Sequence, residues 1–170
     1  MPNTYIKIAS STVGSGGAAN IDFTSIPATY TDLLLLISVR GTTASVSLSL
    51  QMTINGGGVT YTDRFLYGTG SAAASSGNGG TTGYLEEIPG ASATASTFCN
   101  TSVYIPNYTS AYNKSMSTEA TQENNTTAAN MGLMGAYWTT ASVISQITLR
   151  PVSGNFAEFS SATLYGINKS

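Results

Sequence analysis

Ser45-Val46-Ser47-Leu48-Ser49-Leu50-Gln51-Met52-Thr53-Ile54 alternates apolar and polar residues at every step. Successive side chains of a strand point to opposite faces. This stretch therefore builds a dry face from Val46, Leu48, Leu50, Met52 and Ile54, and a wet face from the residues between them. Asn55-Gly56-Gly57-Gly58 follows. Asn-Gly favours a type I′ turn, whose two central residues take positive φ, so residues 59–66 are expected to return as the partner strand. Just upstream, Asp32 to Val39 is apolar on both faces, with Leu34 and Leu36 facing away from Leu33 and Leu35. That pattern fits a central strand whose second face also meets a loop or another subunit.

The same rhythm runs outward in both directions. Residues 4–8 and 20–26 read as strands before the Leu-rich segment. Residues 96–105 form another, closed by Pro106, and residues 112–122 and 131–138 follow. Val143, Ile147 and Leu149 share one face of a strand that Pro151 stops, and residues 161–167 close the chain. About ten strands at this spacing, joined by turn-rich connections, predict one antiparallel β-sandwich domain over residues 1–170, jelly-roll-like in architecture. No segment offers a helical stripe longer than two turns. Residues 68–83 contain nothing larger than Asn or Thr and cannot bury a core face, so they are expected to form a long exposed loop. Residues 122–130 are expected to form a second exposed tip.

Composition narrows the chemistry. The chain has 170 residues, with six Lys or Arg, eight Asp or Glu, no His and a single Cys, alongside 23 Ser, 25 Thr and 12 Asn. Without His there is no Ser-His-Asp or Cys-His catalytic unit. One Cys permits neither an intramolecular disulfide nor a tetrahedral Cys/His zinc site. A net charge of −2 with scattered basic residues leaves no electrostatic footprint for nucleic acid. The longest apolar run, Leu33 to Ile37, is far short of the roughly 20 residues that cross a bilayer. The first residues carry no basic-then-apolar secretory pattern. The expectation is a protein made in a cytoplasm, with no enzymatic activity, no cofactor, and no nucleic-acid or membrane partner.

Individual motifs add little chemistry. Glu86-Glu87 is the one adjacent acidic pair. On a regular strand its carboxylates point apart, so a solvated edge is expected rather than acid-base work. Asp22, Asp32 and Asp63 lack the spacing of a calcium loop. Gly14-Ser15-Gly16-Gly17 runs into a strand rather than a helix, so it reads as a hairpin turn and not a phosphate cradle. Six Asn-x-Ser/Thr sequons reflect composition more than glycosylation. Cys99 reads as a small buried hydrophobe. Tyrosine is the more informative residue, with ten in the chain. Exposed tyrosines can anchor an interface or stack on a sugar. Tyr104, Tyr108, Tyr112, Tyr137 and Trp138, near loop-like segments, are the candidates, together with Leu34 and Leu36.

Both ends of the chain carry a further signal. Tyr5-Ile6-Lys7-Ile8-Ala9-Ser10-Ser11-Thr12-Val13-Gly14-Ser15-Gly16-Gly17-Ala18-Ala19, followed by Ile21-Asp22-Phe23-Thr24-Ser25-Ile26-Pro27-Ala28-Thr29-Tyr30-Thr31-Asp32-Leu33, resembles the N-terminal signature of a family of small virion proteins of tailed bacteriophages. Ser160-Ser161-Ala162-Thr163-Leu164-Tyr165-Gly166-Ile167 resembles the family's closing strand. The resemblance implies a β-sandwich decoration, fibre or tail component located on the virion. Its implied partners are the major capsid protein or other virion proteins, and a homo-oligomer, with a trimer favoured by the local symmetry axes of capsids. A decoration or cement protein on the outer capsid surface is the first expectation. The alternative is a tail fibre or receptor-binding module that uses residues 68–83 and 107–113 to bind host glycan.

Overall fold

A computed structural model describes residues 4–122 and 130–168. Every regular element among them is a strand: β1 (Tyr5–Thr12), β2 (Ile21–Phe23), β3 (Asp32–Ser38), β4 (Ser47–Ile54), β5 (Tyr61–Gly68), β6 (Ala73–Ser76), β7 (Gly79–Gly80), β8 (Gly83–Pro89), β9 (Cys99–Ile105), β10 (Lys114–Gln122), β11 (Met131–Trp138), β12 (Ile147–Pro151) and β13 (Ser161–Ile167). The pairings are antiparallel and make two sheets. The large sheet runs β1-β13-β3-β9-β10-β11-β5-β6, with β7 also on β5, and the small sheet runs β2-β12-β4-β8. The expected all-β sandwich is what the chain forms, with 13 strands among the described residues rather than about ten.

The alternating stretch forms a strand from Ser47 on, but the expected dry-face Val46 lies before it and is exposed, and the expected wet-face Gln51 is buried between β12 and β8. In β4, Leu48, Leu50, Met52 and Ile54 are buried and face the large sheet, where Leu33, Leu35 and Ile37 of β3 answer them. Each such side chain, fully removed from water, contributes roughly 1.5–3 kcal/mol before entropy is subtracted. Strand β3 is central, held between β13 and β9. Its other face, carrying Leu34 and Leu36, looks outward from the sandwich.

Two turns depart from the local reading. Asn55 (φ 49°) and Gly56 (φ 78°) do take left-handed conformations, and the Gly57 amide closes the turn on the Ile54 carbonyl at 2.9 Å. The chain does not fold back on β4, however. Strand β4 pairs with β12 and β8, while β5 crosses to the large sheet and pairs with β11. Gly57 and Gly58 also have positive φ, and these two extra flexible residues let the chain change sheets rather than return as a two-residue hairpin. Likewise, Gly14–Gly17 forms a turn, with Gly17 N–H donating to the Gly14 carbonyl at 3.2 Å, but it carries the chain from β1 in one sheet to β2 in the other.

Residues 68–83 are exposed as expected but are not all loop. Ser-, Ala- and Gly-rich backbone supplies β6 and β7, which pair with β5 and so lengthen the large sheet. Small side chains do not prevent pairing on an edge, because the ladder is made by backbone groups alone. Of the second expected tip, Gln122 is buried, with Nε2 donating to the Val46 and Ile88 carbonyls, and residues 123–129 lie outside the described residues.

Two buried cations hold loops to the sandwich. Arg40 directs Nη1 to the carbonyls of Thr94 (2.6 Å) and Thr97 (3.2 Å), and Nη2 to that of Ala93 (2.9 Å). Lys114 donates to the carbonyls of Ser110, Tyr112 and Thr140, and burial lowers its pKa. In both cases carbonyl dipoles offset desolvation of the charge.

Candidate functional site

The sequence-derived candidates divide by burial. Tyr108 (0% exposed) and Trp138 (1%) belong to the core and are not available as interface anchors. The Tyr108 hydroxyl donates to the Pro27 carbonyl and accepts from the Tyr30 amide, tying the loop after β2 to the loop after β9. Trp138 packs on Tyr61 with ring centroids 5.0 Å apart. Both have a large apolar body, but they are covered differently: the loop after β2 closes on Tyr108, whereas Trp138, the last residue of β11, is covered by Tyr61 of β5 and lies close to Gly83 of β8.

Leu36, Tyr104 and Tyr137 are exposed on the outer face of the large sheet, and Leu34 is half-buried there. Leu34 sits between Tyr165 of β13 and Tyr104 of β9. The Tyr104 hydroxyl donates to Asp32 Oδ2 at 2.9 Å, and this bond raises its pKa. Tyr137 accepts from the Asn113 amide. Tyr112 is the most exposed of the set and stands apart, on the turn before β10.

The same outer face carries an apolar patch that the sequence reading missed. Leu133 of β11 lies directly opposite Leu66 of β5, and both are well exposed, at 59% and 63%. Met131 lies two residues from Leu133 on the same face. Following the register across the strands, Leu36, Ser102, Glu119, Leu133 and Leu66 form one continuous row. The segment Met131-Gly132-Leu133-Met134 is hydrophobic at every large position, and that two-faced signal could have flagged it.

A second site is a pocket of about 480 Å³ where β5 and β11 of the large sheet meet β8, the edge strand of the small one. Glu86 and Glu87 both border this pocket together with Asp63, Glu87 from the side of Ser47 and Ser49 and Glu86 from the side of β11, so their carboxyls leave β8 in different directions as expected. A β-bulge precedes them. Leu50 pairs with Glu86 but Gln51 pairs with Tyr84, so Leu85 has no partner, and Glu86 takes φ 107°. Leu85 and Ile88, three residues apart, both point into the core; beyond the bulge Glu86 pairs with Leu50 and its carboxyl reaches Gly132 of β11, while Glu87 pairs with Ser49 on the outer side. The run Leu-Glu-Glu-Ile breaks period two, which was the available sequence signal.

The three carboxylates are held differently. Glu87 accepts from the hydroxyls of Ser47 and Ser49, the latter at 2.8 Å. Asp63 is 1% exposed; its Oδ1 accepts from the Asn78 amide at 2.8 Å, and its Oδ2 has no hydrogen-bond partner. The neighbouring Tyr61 hydroxyl directs its proton to the Tyr84 carbonyl at 2.8 Å, and burial, with Asp63 beside it, raises the phenol's pKa. Glu86 Oε1 is also buried without a partner. Its carboxyl lies over the backbone of β11 at Gly132, where a Cβ would collide with it. Burial first, then Glu87 and Asp63, push the Glu86 pKa up to about 7. Phe65, Tyr67 and Tyr84 supply rings to the pocket wall.

Metal chemistry is a poor fit. Asp22, Asp32 and Asp63 lie on or at the ends of three different strands, each with its own hydrogen-bond donor. No group of three His, Cys, Asp or Glu among the described residues is placed to hold a metal ion. Cys99 is buried as expected, and burial raises its pKa. No family model, no curated protein and no solved structure matches this chain.

Proposed function

We propose that this chain is a non-enzymatic structural subunit of a tailed-bacteriophage virion, a decoration protein bound to the outer capsid surface through the outer face of its large sheet. The observation that carries the reading is the exposed Leu66–Leu133 pair with Met131 beside it, continuous by register with Leu36. An exposed apolar cluster on a sheet face rich in Ser, Thr and Gly is what a docking surface needs. Ser102 and Glu119 separate it from Leu36 along the row, and Glu119 is the one charge directly opposite Leu133, so attachment rests mainly on apolar burial and is little weakened by salt.

The strand order supports the same reading. Eight strands alternate between sheets as β1-β13-β3-β9 and β2-β12-β4-β8, which we read as a jelly roll. Strands β5–β7 and β10–β11 are insertions that widen one sheet. Jelly rolls recur in viral capsid proteins, and also in lectins, so architecture raises the prior without fixing the role. The terminal segments that resemble phage virion proteins fall on β1, β2, the start of β3 and β13 of this frame. The proposed partner is the major capsid protein, and the proposed assembly is a trimer on a local three-fold axis.

The alternative, a glycan-binding fibre module, loses Tyr108 from its proposed loop site to the core. The test is co-sedimentation of the purified chain with particles that lack it. The wild type should pellet with them in both low and moderate NaCl, and Leu66→Ser/Leu133→Ser should bind at least tenfold more weakly. Equal binding by that variant, or release by moderate salt, overturns the proposed surface.

A further inference from the structure

The structure assigns Asn78, just before edge strand β7, as a site of spontaneous covalent modification, in which the Gly79 nitrogen displaces its side-chain amide and leaves aspartate or isoaspartate. The inference is independent of the virion reading. Attack by a backbone nitrogen on the preceding asparagine is fastest where the next residue is Gly, because no side chain shields the nitrogen. Of the twelve Asn residues only Asn55 and Asn78 precede Gly, and the fold treats the two in opposite ways.

Asn55 is locked. Its Nδ2 donates to the Val143 carbonyl at 2.8 Å, and its Oδ1 accepts from the amides of Ser145 at 2.9 Å and Gln146 at 3.2 Å. Turning its carboxamide toward the Gly56 nitrogen breaks all three bonds. Asn78 is exposed, and no hydrogen bond to a described residue holds its side chain. Only its backbone is tied, the amide to Asp63 Oδ1 at 2.8 Å and the carbonyl to the Asp63 amide at 3.0 Å.

The nucleophile is open as well. Hydrogen-bonded and non-bonded pairs alternate along an antiparallel ladder. The Asp63 amide bonds the Asn78 carbonyl, so the next pair, Thr62 and Gly79, is the non-bonded kind and turns the Gly79 N–H away from β5. Strand β7 has no second neighbour among the described residues, which leaves that nitrogen to solvent. Gly77, Gly79 and Gly80 surround Asn78, and a two-residue strand on a sheet edge opens locally at little cost, so the side chain reaches its attacker.

The step balances without a cofactor. The Gly79 nitrogen loses its proton to solvent and bonds Asn78 Cγ, the Cγ–Nδ2 bond breaks, and the amide leaves as ammonia, closing a succinimide. Water opens the ring at Cγ to give aspartate, or at the backbone carbonyl to give isoaspartate. Either product puts a carboxylate beside the space that Asp63, Glu86 and Glu87 already border, and like charges there repel. Isoaspartate also lengthens the main chain by one carbon and displaces the carbonyl that accepts from Asp63. Strand β7 therefore leaves β5 in the modified protein.

The test incubates the full chain in warm, mildly alkaline buffer and follows both sites by peptide mapping, with mass reporting the change from amide to acid and isoaspartyl methyltransferase reporting isoaspartate. Asn78 should convert at least tenfold faster than Asn55 in the native protein, and the two rates should converge in urea. Gly79→Ala, whose Cβ comes no closer than 3.4 Å to the Tyr61 carbonyl oxygen, should slow conversion at least tenfold with β7 still in place. The Asp63 amide should exchange its hydrogen at least tenfold faster in the modified fraction than in fresh protein. Equal native rates at Asn55 and Asn78 overturn the inference, as does unchanged conversion in Gly79→Ala, or an Asn78 that survives while the urea-unfolded chain converts. Unchanged exchange at Asp63 in the modified fraction overturns the release of β7.

Discussion

Replacing Glu86 by Gln should make the protein more stable above neutral pH and leave it unchanged in acid. The folded state raises the Glu86 pKa from 4.5 to about 7, whereas in the unfolded chain the carboxyl ionises near its ordinary value. Between those two pH values the folded state binds more protons, so its stability falls as pH rises. The penalty is absent below about pH 4 and complete above about pH 8. At full strength a rise of this size corresponds to about 3.4 kcal/mol. Water reaches part of this half-buried carboxyl, so about 1–2 kcal/mol is the expected effect. Gln keeps the shape of the protonated acid without the charge that Glu87 and Asp63 repel.

Urea unfolding followed by the fluorescence of Trp138, the only tryptophan, measures this directly. The difference between Glu86→Gln and wild type should grow from near zero at pH 4 to about 1–2 kcal/mol at pH 8. That corresponds to roughly 2–8 °C in Tm for a chain of this size. A difference that stays flat with pH, or a variant less stable at pH 8, would refute the claim that the carboxylates repel one another in a shared pocket.

Three further outcomes are expected. Arg40→Met should cost about 1–3 kcal/mol, because it removes the donors to the Ala93 and Thr97 carbonyls and leaves the Thr94 carbonyl only the Thr97 hydroxyl, and limited proteolysis should then cut within residues 90–98. Gly132→Ala should displace the Glu86 carboxyl from β11, lowering the Glu86 pKa toward its ordinary value as read by NMR titration of the side-chain carboxyl. Cys99 should resist maleimide in the native protein and react once urea unfolds it, since the thiol is buried and its pKa is raised.

Much of the fold was legible because period two is a local signal. Strands β11 and β13 have the bounds expected from the sequence, β11 from its mix of Gly and large side chains rather than from alternation, and the two-faced run at residues 32–39 holds the central strand β3. Pairing partners were less legible. The Asn55-Gly56 turn had the expected backbone, but which sheet β5 joins depends on long-range packing that the turn does not encode. Tyr108 and Trp138 were misplaced because an aromatic near a strand end reads alike whether neighbouring residues cover it or not. The acidic pocket was hidden for a geometric reason. One extra residue at Leu85 shifts the strand ahead of Glu86, Glu87 is held by serines of the neighbouring strand, and the third carboxylate comes from the other sheet, 23 residues before Glu86. Strand β8 itself was read only as an acidic edge, although Leu85 and Ile88 mark it as core-facing.

The proposal of a capsid-bound subunit is tested most directly by counting copies of the chain in purified particles of a phage carrying its gene, by quantitative mass spectrometry against the major capsid protein. Hundreds of copies per particle, distributed over the head lattice in electron micrographs of antibody-labelled virions, are the expected result. A handful of copies confined to the tail, or none, would contradict it.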